Sequence, residues 1–108
     1  NNLEQIKYNT FFGLKCLQNL NLQKNKILFI ETNSFRKLLT IEIINLKYNF
    51  IKSIELYLDD YFYNLKKLYI SNNHIESIKI IFKNRSNEFL NLELGSNKIQ
   101  YLKDDWLK

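Results

Sequence analysis

The chain has 108 residues, a formal net charge of +5 and 45% apolar side chains. That is enough for one compact domain with its own core and too little for several. No apolar run reaches the roughly eighteen residues a membrane-spanning helix needs, and a single cysteine, Cys16, excludes an intrachain disulfide framework.

Asn1, Asn25, Asn49, Asn73 and Asn97 mark a repeat of 24 residues, and their neighbours repeat with them. The chain opens on the trailing half of a unit: Leu3 and Ile6, then Phe11 and Leu14 on a returning arm. Leu17, Leu20 and Leu22 lead to Asn25, followed by Ile27, Ile30, Phe35 and Leu38. Ile41, Ile44 and Leu46 lead to Asn49, followed by Ile51, Ile54, Leu58 and Phe62. Leu65, Leu68 and Ile70 lead to Asn73, then Ile75, Ile78 and Phe82, with Ser86 where a large apolar residue is due. Phe89, Leu92 and Leu94 lead to Asn97, then Ile99, Leu102 and Trp106. Each unit therefore reads L-x-x-L-x-L-x-x-N-x-I-x-x-I.

Alternation around Leu20-Asn21-Leu22 and its equivalents predicts one short strand per unit, apolar side chains inward and polar ones outward. A single unit cannot bury its apolar set, so the units are expected to stack, with their strands forming a parallel sheet. The returning arms predict loops or short helical turns. Their apolar plug moves one position earlier from Leu58 onward, and the polar stretch from Lys83 to Glu88 predicts an exposed, looser loop. The Asn amide can donate and accept at once, so a column of Asn1, Asn25, Asn49, Asn73 and Asn97 is expected to satisfy backbone groups buried at the turn. Losing one should cost roughly 1–3 kcal/mol. Leu22→Ala should cost about 2–5 kcal/mol through lost packing.

The segment from Leu17 to Ile27 carries every signature position of the leucine-rich repeat motif, and the whole chain resembles that family, in its typical 24-residue class. The resemblance implies an α/β fold: a curved right-handed solenoid with a parallel sheet on its concave face and loops or short helical turns on the convex one. It implies one array of about four and a half repeats over residues 1–108. Neither end carries a cysteine-rich cap, so a fragment of a longer protein is expected. In repeat style, Leu68-Tyr69-Ile70-Ser71-Asn72-Asn73 is similar to secreted insect leucine-rich-repeat immune proteins and, more broadly, to Toll-like receptor ectodomains.

The family resemblance implies a recognition module for a protein ligand, extracellular or on the cell surface, in innate immunity. An intracellular, cytoplasmic scaffold and a basic binder of anionic glycan or nucleic acid are the alternatives. Sixteen Asn and fourteen Lys without a Pro match the codons of AT-rich coding DNA. Acidic residues are spread among the lysines, which argues against nucleic acid. The outward row positions place Ile43, Asn45, Lys47, Tyr48, Lys67, Tyr69, Ser71, Asn91 and Glu93 on the concave face. An aromatic with lysines and an exposed aliphatic makes a contact patch, weighed against the strand preference Tyr has in any sheet. Asn84-Arg85-Ser86 is an N-glycosylation sequon. The lone His74 is sequence-distant from Cys16, no His and Cys share metal-ligand spacing, and no cofactor motif occurs. An enzyme is not expected, and oligomeric state is not indicated.

Overall fold

The structure, a computed structural model, describes residues 2–36, 38–58, 64–82, 91–99 and 101–102. Asn1, Asn84 and the loop around residues 83–88 lie outside them, as do Phe62, Phe89 and Trp106.

Nine short strands run in chain order: β1 (Gln5–Ile6), β2 (Asn19–Asn21), β3 (Phe29–Ile30), β4 (Ile43–Asn45), β5 (Ser53–Leu58), β6 (Lys67–Tyr69), β7 (Ser77–Phe82), β8 (Asn91–Glu93) and β9 (Tyr101–Leu102). The even-numbered strands form one four-stranded parallel sheet in the order β2-β4-β6-β8. Its register puts Leu20 beside Ile44, Ile44 beside Leu68 and Leu68 beside Leu92, so every step is one sequence repeat. The odd-numbered strands build the opposite wall as a β1-β3 pair and a β5-β7-β9 sheet, also parallel. The chain is thus a solenoid, each coil crossing from one wall to the other and back.

The core lies between the walls. Ile44, Leu46, Leu68 and Ile70 from the four-stranded sheet meet Ile27, Ile51, Ile54, Ile75 and Ile78 from the other side, all buried. Burial is deepest in the middle coils. Leu38 is 0% exposed, whereas Leu14, its equivalent in the first coil, is 46% exposed. Leu3, Leu17 and Leu22 in the first coil and Leu92, Leu94 and Ile99 in the last are only partly buried.

The Asn column holds the coils in register. Asn49 Nδ2 donates to the carbonyls of Leu46 (3.0 Å) and Lys47 (3.2 Å) in its own coil and of Leu22 (3.0 Å) in the coil before. Its Oδ1 accepts the Ile27 N–H at 3.1 Å. Asn73 repeats the set with Ile70, Ser71, Leu46 and the Ile51 N–H. Asn97 does so with Leu94, Gly95, Ile70 and the Ile75 N–H. Asn25 donates to Leu22 and Gln23 and accepts the Leu3 N–H.

The residue before each of these Asn residues is left-handed: φ is 58° at Lys24, 59° at Tyr48, 59° at Asn72 and 57° at Ser96. The chain must turn inward there to aim the Asn into the coil. Only Asn72 is of a type that tolerates this conformation well. Ser96→Asn is therefore expected to raise stability by about 0.5–1 kcal/mol, read as a higher urea midpoint at unchanged slope.

The returning arms differ from the sequence expectation in their later half, and no helix occurs among the described residues. The first two arms are consecutive tight turns. Thr10, Phe12 and Leu14 donate backbone bonds three residues back, and Ser34, Arg36 and Leu38 do the same. Asn, Thr and Ser in Tyr8-Asn9-Thr10 and Thr32-Asn33-Ser34 favour such turns. The buried Ser34 hydroxyl donates to the carbonyls of Glu31 and Ile6, and Phe11 stacks on Phe35 with ring centroids 5.7 Å apart. In the next two units the same place is taken by the six-residue strands β5 and β7, paired residue for residue. Their sequences, Ser-Ile-Glu-Leu-Tyr-Leu and Ser-Ile-Lys-Ile-Ile-Phe, are rich in β-branched and aromatic residues that suit a strand. An extended chain covers distance in fewer residues than a turn does, so these arms follow a different path from the first two.

Candidate functional surface

Strand alternation makes the outer face of the four-stranded sheet. Row by row it carries Asn19, Ile43, Lys67 and Asn91, then Asn21, Asn45, Tyr69 and Glu93. Gln23, Lys47, Ser71 and Gly95 follow at the strand exits, and Lys24, Tyr48, Asn72 and Ser96 occupy the left-handed turn.

Lys67 and Asn91 are exposed, whereas Ile43, Asn45, Tyr69, Ser71 and Glu93 are half-buried. Asn45 spends its Oδ1 on the Lys47 N–H at 3.1 Å, and Asn21 does the same for Gln23. Both side chains thereby close the ends of their strands.

Lys47 is not a free cation. Its Nζ lies 3.4 Å from a Glu93 carboxylate oxygen and 4.9 Å from the centre of the Tyr69 ring. The side chain runs diagonally across two coils, over a row whose next members are the small Ser71 and Gly95. A part-exposed ion pair of this kind contributes little to stability, but it fixes Tyr69 from above and neutralises two of the charges on the face. Lys67 has no ion-pair partner among the described residues and is an exposed cation on this face. On the opposite wall Lys79 meets Glu55 at 3.9 Å.

One row escaped the sequence reading, which stopped at the residue before each Asn. The row just after it holds Lys26, Phe50, His74 and Lys98, all exposed. Phe50 and His74 face each other with ring centres 5.6 Å apart. Extending the column comparison across the Asn would have found it. Cys16 is exposed. Among the described residues no three His, Cys, Asp or Glu side chains group to hold a metal. Nor is there, among the described residues, a helix long and apolar enough to cross a membrane.

Stacked coils of equal length, an inward aliphatic set and an Asn ladder define a leucine-rich repeat solenoid. The family model described as Leucine Rich Repeat matches residues 64–84, a stretch that contains β6 and β7. Because the other coils pair with this one in a common register, the match supports a leucine-rich repeat family for the array. No curated protein and no solved structure matches the chain.

Proposed function

We propose that the chain is a non-catalytic recognition module that binds a protein through the outer face of its four-stranded sheet. The observation that carries this is the centre of that face. Ile43 pairs with Lys67 and Asn45 with Tyr69 on the adjacent coil, so Ile43 and Tyr69 stand on the diagonal of this four-residue patch. Tyr69 is pinned by Lys47, and Lys67 has no ion-pair partner among the described residues. A fixed aromatic with an aliphatic neighbour inside a polar rim matches the make-up of protein contact sites. Rigid side chains also lose little entropy on binding.

A photo-crosslinking amino acid at position 69, and as a control at Phe29 on the opposite wall, tests this in extract of the natural source. Protein adducts are expected at 69 and not at 29. Unlabelled chain should compete them away, and the double variant Tyr69→Ala, Lys67→Glu should compete at least about tenfold less well. Equal adducts at both positions would overturn the reading. The double variant should lose under about 1 kcal/mol of stability, since it removes one surface cation–π contact and no core side chain.

The setting we propose is extracellular, in innate defence. It is supported by the likeness of the repeat style to secreted insect immune proteins and Toll-like receptor ectodomains, and by the sequon at Asn84. A mass decrease of the natural protein on glycosidase treatment is the expected result, and an unchanged mass would remove the sequon as support.

A further inference from the structure

The turn that leaves the four-stranded sheet forms a strip across all four coils. It consists of Gln23 to Lys26, Lys47 to Phe50, Ser71 to His74 and Gly95 to Lys98. Its backbone is laddered from coil to coil: the Lys24, Tyr48 and Asn72 N–H groups donate to Lys47, Ser71 and Gly95, and those of Phe50, His74 and Lys98 to Ile27, Ile51 and Ile75. The strip is as fixed as the sheet beside it. None of its sixteen residues is acidic. Lys24, Lys26 and Lys98 are exposed on it without an ion-pair partner among the described residues, while Lys47 is neutralised by Glu93. At its middle, on one coil, two aromatic rings flank the buried Asn49: Tyr48 is 51% exposed and Phe50 is 44% exposed. Tyr48 holds a left-handed backbone, where an Asn would fit with less strain, and its ring gains little burial in return.

We infer that this strip docks a short acidic segment of a protein partner, with an apolar residue seated on Tyr48 and Phe50 and carboxylates reaching Lys24 and Lys26 on one side and Lys98 on the other. The inference rests on the protein-recognition reading and adds a second surface to it. Three coil steps at about 4.8 Å put Lys24 and Lys98 roughly 14 Å apart, which about five residues of extended peptide span. The charge of the strip fits an anionic occupant. The rings decide which kind. Single-stranded nucleic acid uses successive stacking platforms along its path, whereas here the rings are confined to the middle two coils, Tyr48 and Phe50 on one and His74 beside Phe50 at 5.6 Å on the next, and the outer two coils of the strip carry none.

The experiment is selection of a displayed library of random twelve-residue peptides on the whole chain. Enriched peptides are expected to combine two or more Asp or Glu with one aromatic or large aliphatic residue. Tyr48→Asn with Phe50→Lys keeps the fold, because each substitute is a residue type already present in the same column, and it adds one positive charge, so a loss of acidic peptides would come from the missing rings and not from weaker electrostatics. It should weaken these peptides by about tenfold or more. Lys24→Glu with Lys26→Glu should weaken them similarly. Enrichment without acidic bias overturns the inference, as does binding unaffected by both pairs of changes. Tighter binding of an oligodeoxythymidine probe than of any peptide overturns it in favour of nucleic acid. Peptides lost only with Tyr69→Ala, Lys67→Glu overturn the strip and leave the sheet-face reading standing.

Discussion

Asn49→Ala is expected to destabilise the chain by about 3 kcal/mol, more than any other single change in the turn. Asn49 is buried, and its amide serves four backbone groups. Alanine leaves the Ile27 N–H without its acceptor and the Leu22 and Leu46 carbonyls without this donor. Water cannot replace the amide, because the Leu46 side of the turn is sealed by the coil above, whose own Asn73 donates to the same carbonyl at 2.9 Å. Asn49→Asp sharpens the test. The carboxylate still accepts from Ile27 but brings charge against three carbonyl oxygens, so it should be at least as damaging as Ala. Asn25→Ala should cost only about 1 kcal/mol, since the bonds it makes lie in a coil open on one side. Urea unfolding of the three variants reads this order directly, and equal losses at positions 25 and 49 would show that the ladder does not couple the coils.

This contrast marks where the sequence was legible and where it was not. The repeat length could be read because the ladder needs the same amide in every coil, and because an inward strand position tolerates only a side chain that fills the core. Those demands are local, so Leu20, Ile44, Leu68 and Leu92 declared their column. Burial along the stack is not local. Leu22 and Leu46 have the same neighbours in sequence pattern, yet one is half-buried and the other fully buried, and only their place in the stack separates them. The strands of the later returning arms were hidden for a related reason: the displaced plug signalled a changed path, but not that β5 and β7 would pair over six residues. On the sheet face, Ile43, Lys67 and Tyr69 followed from alternation. The bond from Lys47 to Glu93 did not, because it runs diagonally over two coils and depends on how small Ser71 and Gly95 are.

The same reasoning gives the second large effect. Leu46→Ala is expected to cost about 4 kcal/mol, near the upper part of the range for a buried leucine, because coils on both sides hold the cavity open. Leu46 is 0% exposed and lies between Leu22 and Ile70 in its column. Leu22→Ala, in the same position of the motif, should cost only about 1–2 kcal/mol: its side chain is already partly in water, and the first coil can settle into the space. The motif alone predicts about 2–5 kcal/mol at Leu22, and the partial burial of its side chain lowers that expectation. A solenoid is stabilised by its interfaces, so a side chain between two coils serves two of them and one in the first coil serves one. Chemical denaturation of both variants should show the gap. It should also show which loses cooperativity: Leu46→Ala weakens the joint between the two halves of the array and should broaden the transition, whereas Leu22→Ala should leave its slope unchanged. Equal costs at the two positions would mean that the first coil is packed against something that covers it as completely as an inner coil covers its neighbour.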